Sequence, residues 1–417
     1  MLSYKRRSMP RRISLRAPDF DISTPPKWEE WELKLATITP MFGGGAIPGQ
    51  ADARRPIRPS SLRGHLRFWW RATEGAGFRT PEELFLAEEA VWGSTERPSR
   101  VILRVEAQDA AGETTPSRLV PKVKPSSGPR ERFFLFPFEA RPSENKGQDA
   151  GFERVSFTLR IIHNLSVEEA EALRRAIRAW VAFGGVGART RRGLGALEVE
   201  EDKEEWLPQS PGHLREWFAH PAQESSHTTL AGAIIRLGPA ARGHGGLPKG
   251  HEAWRSLGEF WARFRKGHFP SEYRPTGPTA WQDHKVLLGL KPGHPRVSLV
   301  KPFYGLPIVY QAFKGKRTFA GTLEALHPRG KRMASPVILK PIAFADGTIR
   351  PAVVFLKTPP PQRIRITKQE SPHAWELDLS FPGPAEEEVL VSLGAQNPLE
   401  ALMRAAELAG FTEEIRL

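Results

Sequence analysis

The chain has no cysteine, which excludes disulfide staples, thiolate metal ligands and cysteine nucleophiles together. It also lacks any run of about 18 apolar residues, the length a membrane-crossing helix requires. The first 27 residues carry Lys5, Arg6, Arg7, Arg11, Arg12 and Arg16 but no apolar core of the kind a secretory signal needs, so residues 1–27 read as a basic arm. Acidic residues are the minority charge: 47 Asp and Glu against 61 Lys and Arg leave a formal net charge of +14. A field of that sign favours an anionic polymer as partner and predicts affinity that falls with salt.

What is present is enough for packed cores. The 417 residues are 39% hydrophobic and include 12 Trp and 23 Phe, and a chain of this length ordinarily divides into two domains. The most informative segment is GGVGARTRRGLG at 184–195, which follows a helical pattern. Glycines let backbone amides approach an anion, and Arg189, Arg191 and Arg192 supply planar cationic forks suited to phosphate. The alternative is a glycine-closed helix end with arginines in water, which leaves Gly187, Gly193 and Gly195 unexplained. Mononucleotide fingerprints do not fit, because no Lys-Ser or Lys-Thr pair closes the loop and the glycines follow a helix instead of opening one.

Alternation predicts a strand through Trp31, Leu33 and Leu35 that ends at Pro40 and enters MFGGGAIPG. Arg54, Arg55 and Arg58 follow in a basic loop, and Ser60 is the expected N-cap of a helix with Leu62, Leu66 and Trp69 on an apolar stripe and Arg63, Arg67 and Arg71 on a cationic one. Adjacent helical residues project about 100° apart, so Trp70 is expected outside the buried stripe, free to stack on a base or a partner. Strands are predicted at 101–107 and 155–162, with a basic inserted hairpin or lobe over about 108–150, and a capping box of Ser166 and Glu169 opens the helix before the glycine loop. A strand from about 194 to 200 completes a strand–helix–strand, strand–helix–strand order, which is that of a ferredoxin-like α+β module with an antiparallel sheet. The expected division is residues 28–200, a linker or bridging helix at 201–227, and a second α+β unit at 228–417 ending in the helix NPLEALMRAAELAG.

In that ordered set, TPMFGGG, RPSSLRGHLRFWWRA, WGS before a strand and GGVGARTRRGLG after a helix, the chain resembles the RAMP superfamily of CRISPR proteins. FYGLPI at 303–308 and RMASPVILKP at 332–341 narrow the resemblance to the first subunit of the type III-B, or Cmr, effector complex. The resemblance implies two ferredoxin-like domains, a cytoplasmic prokaryotic setting, and a ribonucleoprotein in which the chain holds guide RNA near its 3′ region and helps capture target RNA beside other Cmr-complex subunits. The RNA-contacting positions it implies are Arg54, Arg55, Arg58, Ser60, Arg63, Arg67, Gly185, Gly187, Arg189, Arg191, Arg192 and Gly193. Lys331, Arg332 and Ser335 form a second group, which Trp70 joins from its own exposure argument.

Catalysis has little to stand on in the sequence. His65, among the first helix's arginines, is the first suspect for acid–base cleavage of RNA, and His163 is expected only to cap a turn. His244, His251 and His268 read as surface residues without ligand spacing. Asp52 is the only acid placed where substrate would lie, so no catalytic residue, metal or cofactor is assigned. A noncatalytic RNA-binding subunit is therefore expected, with a guide-processing endoribonuclease and a purely structural assembly subunit as alternatives.

Overall fold

The computed structural model describes residues 27–47, 49–120, 131–140, 147–219, 226–269, 279–291, 293–311, 319–326, 330–369 and 374–417. The arm at 1–27, apart from Lys27, and the basic residues Lys122, Lys124 and Arg130 lie outside them.

The first half is built on β1 (Glu29–Thr37), β2 (Met41–Phe42), α1 (Pro59–Glu74), α2 (Pro81–Trp92), β3 (Val101–Thr114), β4 (Gly151–His163), α5 (Val167–Phe183) and β5 (Leu197–Val199). The strands pair antiparallel, with β1 between β4 and β5, and β3 and β2 both on β4. Ser166 and Glu169 close the reciprocal capping box that opens α5. Strand β3 runs seven residues past its expected end, because the small-residue stretch after Glu106 is absorbed by a bulge at Ala107, φ 45°. Of the segment expected as an inserted hairpin or lobe over 108–150, residues 108–114 extend β3, and the described residues beyond it include α3 (Pro116–Leu119), α4 (Arg132–Leu135) and a 3₁₀ turn over Phe136–Phe138, which bury Phe134, Leu135 and Phe138.

The stretch expected as a linker or a bridging helix is helical over much of its described part. Residues 203–218 form α6 (Lys203–Trp206) and α7 (Pro211–Phe218), and Trp206, Leu207, Leu214 and Phe218 are buried in the core that the two halves share. Mixed charge concealed four apolar anchors at near-helical spacing.

The second half contains β6 (Thr229–Leu237), α8 (Lys249–Lys266), β10 (Val337–Ala343), β11 (Ile349–Lys357), α11 (Pro398–Leu408) and β14 (Glu413–Arg416). Its antiparallel order, β10–β11–β6–β14, repeats the β3–β4–β1–β5 order of the first half. Between these elements lies a third sheet that the sequence reading did not separate: β7 (Arg296–Ser298), β8 (Ile308–Tyr310), β9 (Gly321–Ala325), β12 (Arg363–Lys368) and β13 (Ala374–Ser380), with α9 (Asp283–Gly289) beside it. It has its own small core around Leu299, Leu323, Ile364 and Ile366, and β7 and β13 run parallel. The helix α10 (Glu388–Leu393) precedes α11.

Every residue of β10 is buried, and the period-2 geometry of a strand explains why. Ile338 and Ile342 pack in one core with α1 and α5 of the first half, while Val337 and Leu339 pack with Trp254 and Leu257 of α8. The layers thus run first sheet, α1 and α5, second sheet, α8 and α11. Among the described residues no helix is long and apolar enough to cross a membrane.

Candidate nucleic-acid interface

Pro59 decides how α1 begins. A residue before proline is held extended, and Arg58, at φ −109° and ψ 134°, becomes the N-cap with no side-chain cap bond, so Ser60 does not cap the helix as expected but lies in its exposed first turn. That turn carries no acidic residue, leaving the positive end of the helix dipole uncompensated. In the preceding loop, Asp52 accepts from the Arg54 and Arg55 amides, both at 3.0 Å. The carboxylate shapes the turn, and the Arg54 and Arg55 side chains stand in solvent.

Beside this turn is a cavity of about 260 Å³, lined by Met41, Gly43, Gly44, Arg58, Ser61, His65 and the Val186–Ala188 backbone, among others. Its walls are two glycine-bearing segments locked together: the Ala188 amide donates to the Phe42 carbonyl (2.8 Å) and the Gly195 amide to the Pro40 carbonyl (2.9 Å). Gly187 has φ 79°, and a Cβ there would stand 2.5 Å from the Phe42 oxygen. Burial holds the His65 imidazole below its ordinary pKa, so it is neutral at pH 7. Ser61, Gly43 and Gly44 were not among the expected site residues, although the MFGGG run signalled the glycine wall, and His65 was expected only as a catalytic suspect.

The expected arginines separate into two groups. Arg63 donates to the carbonyls of Trp92 and Val101 and to the Ser99 hydroxyl, and Arg67 and Arg71 both bind the buried Glu88. These three pin α1 to α2 and β3 instead of facing a ligand. Arg192 donates to the Val337 carbonyl (2.8 Å) and to Ser335 Oγ (3.1 Å), and its guanidinium lies 4.6 Å from the Trp261 ring centroid. Arg191 donates to the Ser335 carbonyl and lies over Phe68. Burial lowers the Arg191 pKa to about 10, and burial first, then Arg189 and Arg265, holds that of Arg192 well below its ordinary value. Both are corrected from phosphate ligands to links between the halves, with Ser335 as the acceptor on the far side.

Arg189, at a left-handed φ of 59°, makes no side-chain hydrogen bond among the described residues, and its Nε is buried without a partner. It retains a free fork. Gly185 and Gly193 serve close packing: a Cβ would meet the Gly195 oxygen at 2.5 Å in one case and the Leu339 oxygen at 2.9 Å in the other. Lys331 and Arg332 are exposed, Lys331 paired with Glu324 at 3.5 Å.

Trp70 is only 4% exposed, because α1 is covered by its own sheet on one side and by the second sheet on the other, and two buried faces accommodate two adjacent tryptophans. It is corrected from a stacking platform to core. His268 is buried and so is not the surface residue expected, and burial, with Arg255 next, drops the pKa of the half-buried His251 to about 4. His163 packs edge-on against Trp31 and accepts weakly from the Leu165 amide at 3.5 Å. Among the described residues no group of three or more metal-ligating side chains converges.

The outer face of the first sheet offers no nucleic-acid platform either. Arg160 bonds Glu30, Glu32 and Glu106, and Arg154 bonds Glu198 and Glu200. Acids outnumber bases in this network, and no aromatic ring belongs to it.

Comparison with known proteins covers the two glycine segments and the α1 opening. Residues 34–198 match the RAMP superfamily model, and 178 residues are 32% identical to the CRISPR system Cmr subunit Cmr1-2 of Pyrococcus furiosus, covering 40% of this chain and 92% of that protein. The chain belongs to the Cmr subunits of the RAMP superfamily. Among solved structures, this Cmr subunit is similar to Cmr1 from Pyrococcus furiosus in its apo form, at 17% identity and a TM-score of 0.46 over 80% of this chain and 88% of that one. It is also similar to a chain of the type III-B Cmr-beta complex bound to cognate target RNA, at 12% identity and a TM-score of 0.40 over 78% of this chain and 94% of that one.

Proposed function

We propose that this Cmr subunit holds single-stranded RNA along the Arg54–Arg58 loop, the open first turn of α1 and Arg189, and does not cut it. The observation that carries the reading is the exposed cationic loop, whose side chains have no partner among the described residues, set against a helix N-terminus without a side-chain cap, with Arg58 and the first turn of α1 bordering one groove. Phosphate contacts of this kind position a strand without reading its sequence, so little base preference is expected. Guide RNA near its 3′ region, target RNA and the other Cmr-complex subunits are the partners we propose, in a cytoplasmic ribonucleoprotein. The similar Cmr-beta structure, which is described as bound to cognate target RNA, agrees with this choice.

The repeated strand order supports two ferredoxin-like modules, joined between β5 and β6, with the third sheet inserted in the second. Lys331 and Arg332 are proposed as a secondary RNA or partner contact. Noncatalytic behaviour is consistent with a groove whose only acid–base candidate, His65, has no carboxylate among the cavity's residues to assist it. Anisotropy of a labelled single-stranded RNA at several salt concentrations, with each sample run afterwards on a denaturing gel, tests this. Salt-sensitive binding with intact RNA is expected. Discrete cleavage would replace the reading with a nuclease, and absence of binding would leave an assembly role.

A further inference from the structure

Helix α2 carries a surface that the proposed RNA path does not use. Leu84, Glu88, Val91 and Trp92 face inward, with Glu88 taking Arg67 and Arg71. The opposite face presents Phe85, 51% exposed, and Leu86, 61% exposed. At 100° per residue, Glu82, Phe85, Leu86 and Glu89 fall within one arc of about 100°. Glu82 and Glu89 make no ion pair among the described residues, while Glu83 is spent on the Thr80 capping box. Arg79 and Arg97 lie at the two ends of the helix.

Two large apolar side chains side by side on an exposed helix face are an interaction signature. The flanking carboxylates specify the occupant by charge complementarity: an RNA strand is repelled, whereas a cationic protein surface is attracted. That an acidic apolar face persists on a chain of net charge +14 separates this contact from the RNA groove. We infer that the α2 face docks a neighbouring protein subunit through a basic surface bearing one or two apolar side chains that seat on Phe85 and Leu86. The inference rests on the reading that the chain works inside a Cmr assembly, but not on where RNA binds.

The test is retention of the tagged chain on the remaining Cmr subunits assembled with guide RNA. We compare wild type with the Phe85→Ser/Leu86→Ser double variant and with the Glu82→Lys/Glu89→Lys double variant, which alters only solvent-facing charge. Each variant's melting temperature and affinity for single-stranded RNA are measured on the isolated chain. Expected is at least a tenfold loss of retention for both variants, with melting and RNA affinity unchanged. Retention equal to wild type for both variants would overturn the proposal. So would a wild-type chain that sediments as a dimer and becomes a monomer in the variants, because the occupant would then be a second copy. Loss of RNA binding by the isolated wild type would sink the RNA reading alone and leave the retention result to decide this one.

Discussion

Arg189 and Arg192 stand three residues apart in one loop and do opposite work, because what each donor meets differs. Arg192 spends its donors on Val337 and Ser335 of the second half. Truncation removes the charged donor from both acceptors and leaves them only the contacts that Ser335 and Val337 make with each other, at 3.1 and 3.3 Å. Arg192→Ala is therefore expected to lower unfolding free energy by about 2–3 kcal/mol in urea titration, whereas Arg58→Ala, at a half-exposed cap without a side-chain bond, should change it by less than about 0.5 kcal/mol. Equal losses in the two variants would count against the assignment of Arg192 as a link.

His251 supplies a pH signature at the same scale. Its folded pKa is about 4 against an ordinary 6.5, through burial and then Arg255, so between these values the unfolded chain binds the extra proton and the folded chain does not. Stability contributed by the neutral ring is complete above pH 6.5 and is lost as the pH falls towards 4. The loss amounts to on the order of 2–3 kcal/mol. Other histidines share this direction, among them His65 and His163, so the measurement is the difference between wild type and His251→Gln. The variant should lose stability less steeply from pH 6.5 to 4, and parallel curves would refute the assignment.

At the scale of elements, the glycine loop shows why composition alone misleads. Five glycines around three arginines look like an anion cradle, yet the amides of Val186, Ala188 and Gly195 are bonded within the protein, and Gly193 lies against β10. The glycines first allow two backbones to touch. Gly187→Ala should consequently destabilise by about 1–3 kcal/mol, from its left-handed backbone and its contact with Phe42, as read by the shift in denaturant midpoint. A variant of wild-type stability that had lost RNA affinity would instead restore the cradle.

The elements carrying strong periodicity were legible: β1, β4, α5, α8 and α11 follow from alternation, the Ser166–Glu169 box and amphipathic spacing. The third sheet was not, since β7 and β8 are three residues each and RIRITK alternates without any flanking signal that it pairs away from β11. Nor was the fate of Arg63 and Arg67. A cationic stripe looks the same in sequence whether it meets phosphate or a buried glutamate twenty-one residues away.

Across the whole molecule, one layered core spans both halves. It closes the second sheet on both faces and buries Lys340, whose Nζ reaches the Val181 carbonyl near the end of α5 and whose pKa burial pushes well down. With the first sheet ion-paired and the second covered, neither sheet is free to be an RNA platform. The positive charge left to act on a polymer concentrates at exposed loops. The resemblance in the sequence implies RNA as the polymer, but only the packing shows which cations are spent.

The most direct test of that division is the salt dependence of single-stranded RNA affinity for wild type and for Arg54→Ala/Arg55→Ala/Arg58→Ala. Each phosphate neutralised on a single strand contributes about 0.7 to the slope of log affinity against log salt. The account predicts a slope shallower by about 2 in the triple variant, with weaker binding at low salt and unchanged folding; an unchanged slope would contradict it.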